Sequence, residues 1–295
     1  MTHKLLKGVG VALITPFNNY KIDYEALARM VEHVIRGGVD YIVALGSTAE
    51  TATLSTDEQH DVLRFIVQQT AGRVPIVAGM GGNDTHALCE NLRSFDLTGT
   101  VAILSVVPYY NKPSQEGIYR HYMAVADASP VPVIVYNVPG RTGVNMTAET
   151  TLRLAHATKK IIAVKEASGD IEQMQSILDS RPEDFMVLSG DDGITVELIK
   201  RGGEGVISVA ANAFPEKFCH CVHNALNGNI AEAEAEIVNL GEPIQLLFRE
   251  GNPTGVKCMT AAMGITKDEP RLPLVEGSAA LRQDIEKAVA TYELR

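Results

Sequence analysis

Residues 161–169 have the sequence IIAVKEASG, in which four consecutive apolar residues lead into Lys165 and a short polar loop. Apolar residues at consecutive rather than alternate positions are typical of a parallel strand that is covered on both faces. Seven more runs of this kind, rich in valine and isoleucine, occur along the chain. The eight predicted strands are residues 9–13, 41–45, 75–79, 101–105, 133–136, 161–165, 186–189 and 205–208.

The segments between these runs have helical patterns. Residues 24–36 carry apolar side chains at helical spacing, and Asp23 is placed to cap the first turn of that helix. Ser55 and Glu58 have the spacing of a capping box at the start of a second helix. Strand starts recur about every 28 residues, the length of one strand, one crossover helix and two loops. The pattern therefore predicts an α/β fold.

Eight such units close a (β/α)8 TIM barrel. The 295 residues would also accommodate two small domains or a doubly wound sheet. However, the Gly-x-Gly-x-x-Gly turn expected in a dinucleotide-binding sheet does not follow the first strand, and the glycine run at 79–82 is only a weak phosphate signal. We predict a barrel over residues 1–226 and a C-terminal extension of three helices over 227–295. These helices, near 230–248, 253–263 and 278–292, are expected to pack on the barrel flank or at an oligomer interface.

The charge and composition of the chain limit the kinds of molecule that it is expected to bind. The formal net charge of −10 and the pI of about 5.3 disfavour nucleic acid and anionic membranes, so a small-molecule partner is expected. No run approaches the roughly 20 apolar residues of a membrane-spanning helix, and residues 1–7 lack a secretory apolar core, so we expect a cytoplasmic protein. The four cysteines are too few and scattered for a disulfide framework. The CHCVH sequence at 219–223 is a poor metal site, because residues two apart on a helix point to different faces.

Lys165 is the strongest catalytic candidate, since among twelve lysines it alone closes an apolar strand run. The loops after the strands form the active face of such a barrel. Burial there would lower the pKa of the amine from about 10.4 to about 7 or 8, leaving it able to attack a ketone and form an imine. The structural alternative is a lysine that pairs with a carboxylate such as Glu166 or extends to the barrel rim.

Three hydroxyl-bearing residues end or follow other predicted strands. The phenol of Tyr136 could relay protons at the imine, and Ser47 and Thr48 offer hydroxyls and amides suited to a carboxylate. Each also has a structural explanation, as a core tyrosine with a solvated hydroxyl or as turn residues. Their expected convergence on one barrel face with Lys165 favours the functional interpretation.

The most specific segments are PYYNKPSQEG at 108–117, YNVPGRTG at 136–143 and VKEASG at 164–169, supported by 188–192 and 205–208. They resemble the dihydrodipicolinate synthase family, one of the pyruvate-imine lyases and aldolases. The resemblance extends over residues 8–215, with a weaker match at 252–253 and 271–273.

The resemblance implies condensation of pyruvate with L-aspartate 4-semialdehyde, in lysine and diaminopimelate biosynthesis, with no cofactor and no metal. Lys165 would form the Schiff base with pyruvate. Tyr136 and Ser47 would form a proton relay with Tyr110, which would reach across the tight dimer interface of a homotetramer.

Four further residues would bind the substrates, by the same resemblance. Thr48 would hold the pyruvate carboxylate, and Arg141 the carboxylate of the second substrate as a planar fork. Gly190 and Ile207 would line the pyruvate pocket.

The chain departs from the family pattern in two places. The loop that usually reads Gly-Thr-Thr-Gly-Glu is GSTAE at 46–50, and Ala49 indicates a backbone that is not left-handed there. Thr56, Gln59 and Ala87 replace the histidines and glutamate of the lysine-inhibited members. We therefore expect weak or absent inhibition by lysine.

Two alternatives stay open. N-acetylneuraminate lyases and 2-keto-3-deoxy-acid aldolases share the barrel, the lysine and the tyrosine, and serine at position 47 slightly favours the lyases. Arg141 argues against them, because the lyases lack this arginine. The other alternative is a non-catalytic barrel that only binds a keto acid.

Overall fold

The computed structural model describes residues 5–294, in which eight parallel strands form one closed barrel. The strands are Gly8–Ala12, Tyr41–Ala44, Ile76–Gly79, Ala102–Val106, Val133–Asn137, Ile161–Glu166, Met186–Ser189 and Gly205–Ser208. Each pairs with its neighbour in chain order, and the first closes the barrel against the eighth. The predicted TIM barrel is confirmed, with strand boundaries that differ from prediction by one residue at most.

Helices surround the barrel between and after the strands. They are α1 (Tyr24–Arg36), α2 (Thr56–Thr70), α3 (Thr85–Ser94), α4 (Gln115–Ala128), α5 (Pro139–Thr142), α6 (Ala148–Ala157), α7 (Ile171–Ser180), α8 (Thr195–Lys200) and α9 (Pro215–Leu226). Helix α1 has its predicted bounds, because the Asp23 carboxylate accepts the Ala26 amide at 2.9 Å. Ser55 and Glu58 form the predicted capping box at the start of α2.

The described C-terminal part has four helices rather than three. They are α10 (Ile230–Asn239), α11 (Gly241–Phe248), α12 (Thr254–Ala262) and α13 (Ala279–Thr291). The prediction of one helix over 230–248 was wrong, because Pro243 has no N–H to donate to the Asn239 carbonyl and the helix ends before it. The predicted boundary between the barrel domain and the helical extension, at residues 226 and 227, stays a prediction.

Alternation along the fifth and sixth strands decides which side chains reach the barrel interior. Ile134 and Ala163 pack inside the barrel, whereas Val135 and Val164 pack against the outer helices. Because side chains alternate between the two faces of a strand, Lys165 is directed inward and Glu166 outward.

Among residues 5–294, no helix combines the length and apolar character needed to cross a bilayer. The predicted lack of a signal segment concerned residues 1–7, of which 1–4 lie outside the described residues. The CHCVH sequence lies in α9 as predicted. Cys219 and Cys221 are buried there, while His220 and His223 contact the carboxylates of Glu236 and Asp40.

Candidate active site

A cavity of about 750 Å³ opens where the loops leave the C-terminal ends of the strands. Six of the predicted site residues line it, namely Ser47, Thr48, Tyr136, Arg141, Lys165 and Gly190. They come from the loops or ends of four different strands, so the barrel closure brings them together.

Lys165 is buried in this cavity, with 5% of its surface exposed. Burial lowers the pKa of its amine to about 7; the Asp192 carboxylate opposes this shift and the Arg141 guanidinium adds to it. Near neutral pH a substantial fraction of the amine is therefore unprotonated. This fraction is the nucleophile that an imine-forming enzyme needs.

Glu166 does not serve as the partner of Lys165. Its carboxylate lies on the outer side of the barrel, where it accepts hydrogen bonds from the Ser168 amide at 2.8 Å, the Gln173 side chain at 3.0 Å and the Asn137 side chain at 3.1 Å. The structural alternative in which Glu166 neutralises Lys165 is therefore wrong.

Tyr136 is the register partner of Lys165 on the neighbouring strand. The Lys165 Nζ atom lies 4.2 Å from the centre of the tyrosine ring. Burial raises the pKa of the Tyr136 phenol to about 12, and Arg141 partly opposes the shift. The phenol is thus protonated at neutral pH and can donate a hydrogen bond or a proton next to the amine.

Asp192 is a charged neighbour that the sequence analysis did not select. It is 1% exposed, and its Oδ2 atom accepts the Val209 and Ala210 amides at 3.1 and 3.0 Å. Burial raises the pKa of this carboxyl to about 6. Its negative charge favours the ammonium form of Lys165 and so limits the drop in the lysine pKa.

Ser47 and Thr48 lie in a short 3-10 helix, Ser47–Ala49, directly after the second strand. Leu45 and Glu50, on either side of this 3-10 helix, have left-handed backbones with φ of 57° and 56°, while Ala49 stays in the 3-10 helix. The prediction that Ala49 does not adopt a left-handed conformation is confirmed. Thr48 is buried, and its Oγ1 atom accepts a hydrogen bond from the Asn252 side chain at 2.8 Å.

Arg141 lies in α5, after the fifth strand, with an exposed side chain. Its Nη2 atom donates to the Asn252 carbonyl at 2.9 Å. Gly190 follows the seventh strand, and a Cβ atom there would lie 2.5 Å from the Ala167 Cβ, so only glycine lets these two loops meet at the cavity.

Two predicted residues are not among those that line the cavity. Ile207 is 1% exposed and lies in the eighth strand, in register with Gly10. Tyr110 is 88% exposed on the surface of the single chain, with φ of 72°. Their assigned roles therefore stay predictions.

The C-terminal helices contribute more to the cavity than the sequence analysis expected. Ile237 and Val238 of α10, Ile244 and Phe248 of α11, and Asn252 all line it. The prediction that the C-terminal helices pack only on the barrel flank or at an oligomer interface was therefore incomplete. The sequence carried no strong signal for this contact, because these residues lie far along the chain from the strands.

A buried ion pair fixes the same segment to the barrel. Lys257 of α12 and Glu50 contact each other with side chains 0% and 1% exposed. Burial lowers the pKa of Lys257 to about 8, against the opposing charge of Glu50. Glu50 also accepts the Arg271 amide at 2.9 Å. Sequence reasoning missed this pair, since neither residue ends a strand run.

Comparison with known proteins agrees with this geometry. The model of the dihydrodipicolinate synthetase family matches residues 5–292. The chain belongs to this family. It is 52% identical to the 4-hydroxy-tetrahydrodipicolinate synthase of Phocaeicola vulgatus over 276 residues, which is 93% of each chain.

Solved structures of dihydrodipicolinate synthases share the whole fold. The enzyme of Thermotoga maritima superposes with a TM-score of 0.96 at 35% identity, over 99% of this chain and 100% of that one. The chloride-inhibited enzyme of Acinetobacter baumannii, solved in complex with pyruvate, gives a TM-score of 0.95 at 36% identity, over 98% and 100%. Membership in the dihydrodipicolinate synthetase family identifies the chain as an enzyme and removes the non-catalytic barrel as an alternative.

Proposed function

We propose that the protein condenses pyruvate with L-aspartate 4-semialdehyde to 4-hydroxy-tetrahydrodipicolinate, the first committed step of lysine and diaminopimelate biosynthesis. The observation that carries the proposal is a buried amine of lowered pKa, Lys165, in one cavity with the Arg141 guanidinium. The amine suits a ketone and the guanidinium suits a second carboxylate.

The first half of the reaction forms a nucleophile from pyruvate. The unprotonated Lys165 amine attacks the ketone carbon, and the resulting carbinolamine loses water to give an iminium. The iminium withdraws electrons from the neighbouring methyl group, which loses a proton and becomes an enamine. Thr48 holds the pyruvate carboxylate in this arrangement.

The second half joins the two substrates. The enamine carbon attacks the aldehyde carbon of L-aspartate 4-semialdehyde, and the aldehyde oxygen takes up a proton to become the hydroxyl group. The substrate amine then attacks the iminium carbon and closes the ring, and Lys165 leaves as a free amine. Arg141 orients the second substrate through its carboxylate.

We assign the proton transfers to Tyr136, with Ser47 and Tyr110 completing the relay. The position of the Tyr136 ring next to the Lys165 amine supports this assignment. Burial raises the pKa of the phenol, so Tyr136 is protonated at neutral pH and can donate a hydrogen bond at the imine, and once it has given up a proton its phenolate takes one back readily.

For Tyr110 we propose a site in a neighbouring subunit, across the tight dimer of a homotetramer. Its 88% exposure in the single chain supports a role outside its own cavity. Mixing an inactive Tyr110→Phe variant with an inactive Lys165→Ala variant should restore activity, because mixed dimers contain one site with both native residues. Mixtures that stay inactive after subunit exchange would contradict the proposal.

We also propose a cytoplasmic location, which the free, buried state of all four cysteines supports.

The substrate assignment is tested by two parallel assays on the purified protein. Turnover of pyruvate with L-aspartate 4-semialdehyde is expected, and cleavage of N-acetylneuraminate or a 2-keto-3-deoxy acid is not. Efficient cleavage of either sugar acid without condensation would assign the protein to an aldolase function instead.

A further inference from the structure

We propose that Asn252 is a positioning residue, which directs the Thr48 hydroxyl toward the pyruvate carboxylate and links it to the group that binds the second substrate. The inference rests on the proposed function and deepens it, because it names the residue that joins the two carboxylate subsites.

Asn252 contacts both subsites through different atoms. Its side-chain Nδ2 atom donates to Thr48 Oγ1 at 2.8 Å, and its main-chain carbonyl accepts from Arg141 Nη2 at 2.9 Å. All three residues line the cavity that contains Lys165. One residue from the segment between α11 and α12 thus connects two loops that follow the second and fifth strands.

The hydrogen bond from Asn252 to Thr48 decides where the hydrogen of the Thr48 hydroxyl can point. The hydroxyl has a single hydrogen to donate and two lone pairs that accept. Because the Asn252 amide donates to Thr48, the hydroxyl hydrogen stays available for a carboxylate. An acceptor at the same place would take that hydrogen and leave only lone pairs toward the anion.

The surrounding structure holds Asn252 and Thr48 at fixed positions. The Glu50–Lys257 ion pair joins the loop of Thr48 to helix α12, which begins two residues after Asn252. Both charged side chains are buried, so separating the two segments would leave a buried charge without its partner. Asn252 is therefore held in place by a contact outside the cavity.

The two contacts predict a selective effect of substitution. Loss of the side chain removes the donor to Thr48 but keeps the main-chain carbonyl that holds Arg141. The Asn252→Ala variant should therefore bind pyruvate more weakly and bind the aldehyde substrate almost normally. Asn252→Asp should weaken pyruvate binding further, because the new carboxylate accepts the Thr48 hydroxyl hydrogen and repels the pyruvate anion.

The experiment measures the pyruvate concentration that gives half-maximal borohydride-trapped adduct in the intact protein. Asn252→Ala should raise this concentration about tenfold, as expected for a lost hydrogen bond that orients an anion site. The double variant Asn252→Ala/Thr48→Val should have the same half-saturating pyruvate concentration as Thr48→Val alone, within about twofold, because the two residues act as one unit. Asn239→Ala, an exposed asparagine at the end of α10, is the matched control.

An unchanged half-saturating concentration for Asn252→Ala, or an additive double variant, would overturn the inference. Equal losses for pyruvate and aldehyde together with a lower melting temperature would also overturn it, because they indicate a purely structural role. A wild-type protein that traps no pyruvate refutes the proposed function itself, which distinguishes that failure from this one.

Discussion

The Nζ atom of Lys165 lies over the face of the Tyr136 ring, 4.2 Å from its centre. A ring face stabilises a desolvated ammonium by about 2 kcal/mol or somewhat more. The lowering of the Lys165 pKa from 10.5 to about 7 corresponds to roughly 5 kcal/mol in favour of the neutral amine. Burial therefore outweighs the ring, and Tyr136 stays available as a proton carrier.

The lowered pKa predicts the pH dependence of imine formation. A protonated amine cannot attack a ketone, so the initial rate of cyanoborohydride-trapped adduct should rise with pH through about 7 and level off above it. Asp192→Asn should move the midpoint to lower pH, because the Asp192 charge raises the pKa of Lys165. Asp179→Asn, on the exposed side of α7, should leave it unchanged. A wild-type midpoint near 10 would contradict the burial argument.

Arg141 should affect mainly the binding of the second substrate. Arg141→Ala should raise the KM for L-aspartate 4-semialdehyde roughly tenfold to a hundredfold, the effect of losing a charge-assisted contact. The pyruvate concentration that gives half-maximal trapped adduct should change little at a pH well above the pKa of Lys165, where the amine is unprotonated with or without the Arg141 charge. Arg141→Lys should recover only part of the loss, since an ammonium lacks the planar fork. Equal losses of affinity for pyruvate and for the aldehyde in Arg141→Ala would contradict the role assigned to Arg141.

The barrel could be predicted because its strands are continuous apolar runs, as at residues 161–164, where both faces of the strand are covered and neither favours a polar side chain. Lys165 could be predicted for the same reason, since it breaks such a run at its C-terminal end. The division of α10 and α11 was also visible in principle, through Pro243. A single proline is enough to end a helix four residues earlier in an otherwise helical pattern.

Asn252 and Lys257 could not be predicted from pattern alone. Their functional contacts, with Thr48 and Glu50, join residues about 200 positions apart, so no local spacing records them. Asp192 lies in the family-like segment 188–192, but its proximity to Lys165 depends on barrel closure. The contacts of Asn252 and Lys257 form only because the segments after residue 226 return to the barrel mouth.

The buried Glu50–Lys257 pair should be important for stability. Lys257→Met leaves an unpaired buried carboxylate and should lower the free energy of unfolding by about 3–5 kcal/mol, measured by urea denaturation. Combining it with Glu50→Gln should recover much of the loss. Lys200→Met removes the exposed pair with Glu234 and should cost about 0–1 kcal/mol. Equal costs for the buried and exposed variants would be inconsistent with this account.

Free lysine should inhibit the enzyme weakly or not at all. Thr56 and Ala87 are exposed and lack ionisable side chains, and the Gln59 amide donates to the Leu54 carbonyl at 3.1 Å. None of these side chains offers a carboxylate for a lysine ammonium. Initial rates at increasing lysine concentration should stay flat, and strong suppression at modest concentrations would refute the prediction.

The most direct test of the central claim is to treat the protein with pyruvate and borohydride and to map the adduct by peptide mass spectrometry. Lys257 is an internal control, because it is also buried with a lowered pKa but is paired with Glu50. We predict one reduced pyruvate adduct, on Lys165, and none on Lys257 or in Lys165→Ala. An unmodified Lys165, or an adduct that persists in Lys165→Ala, would contradict the account.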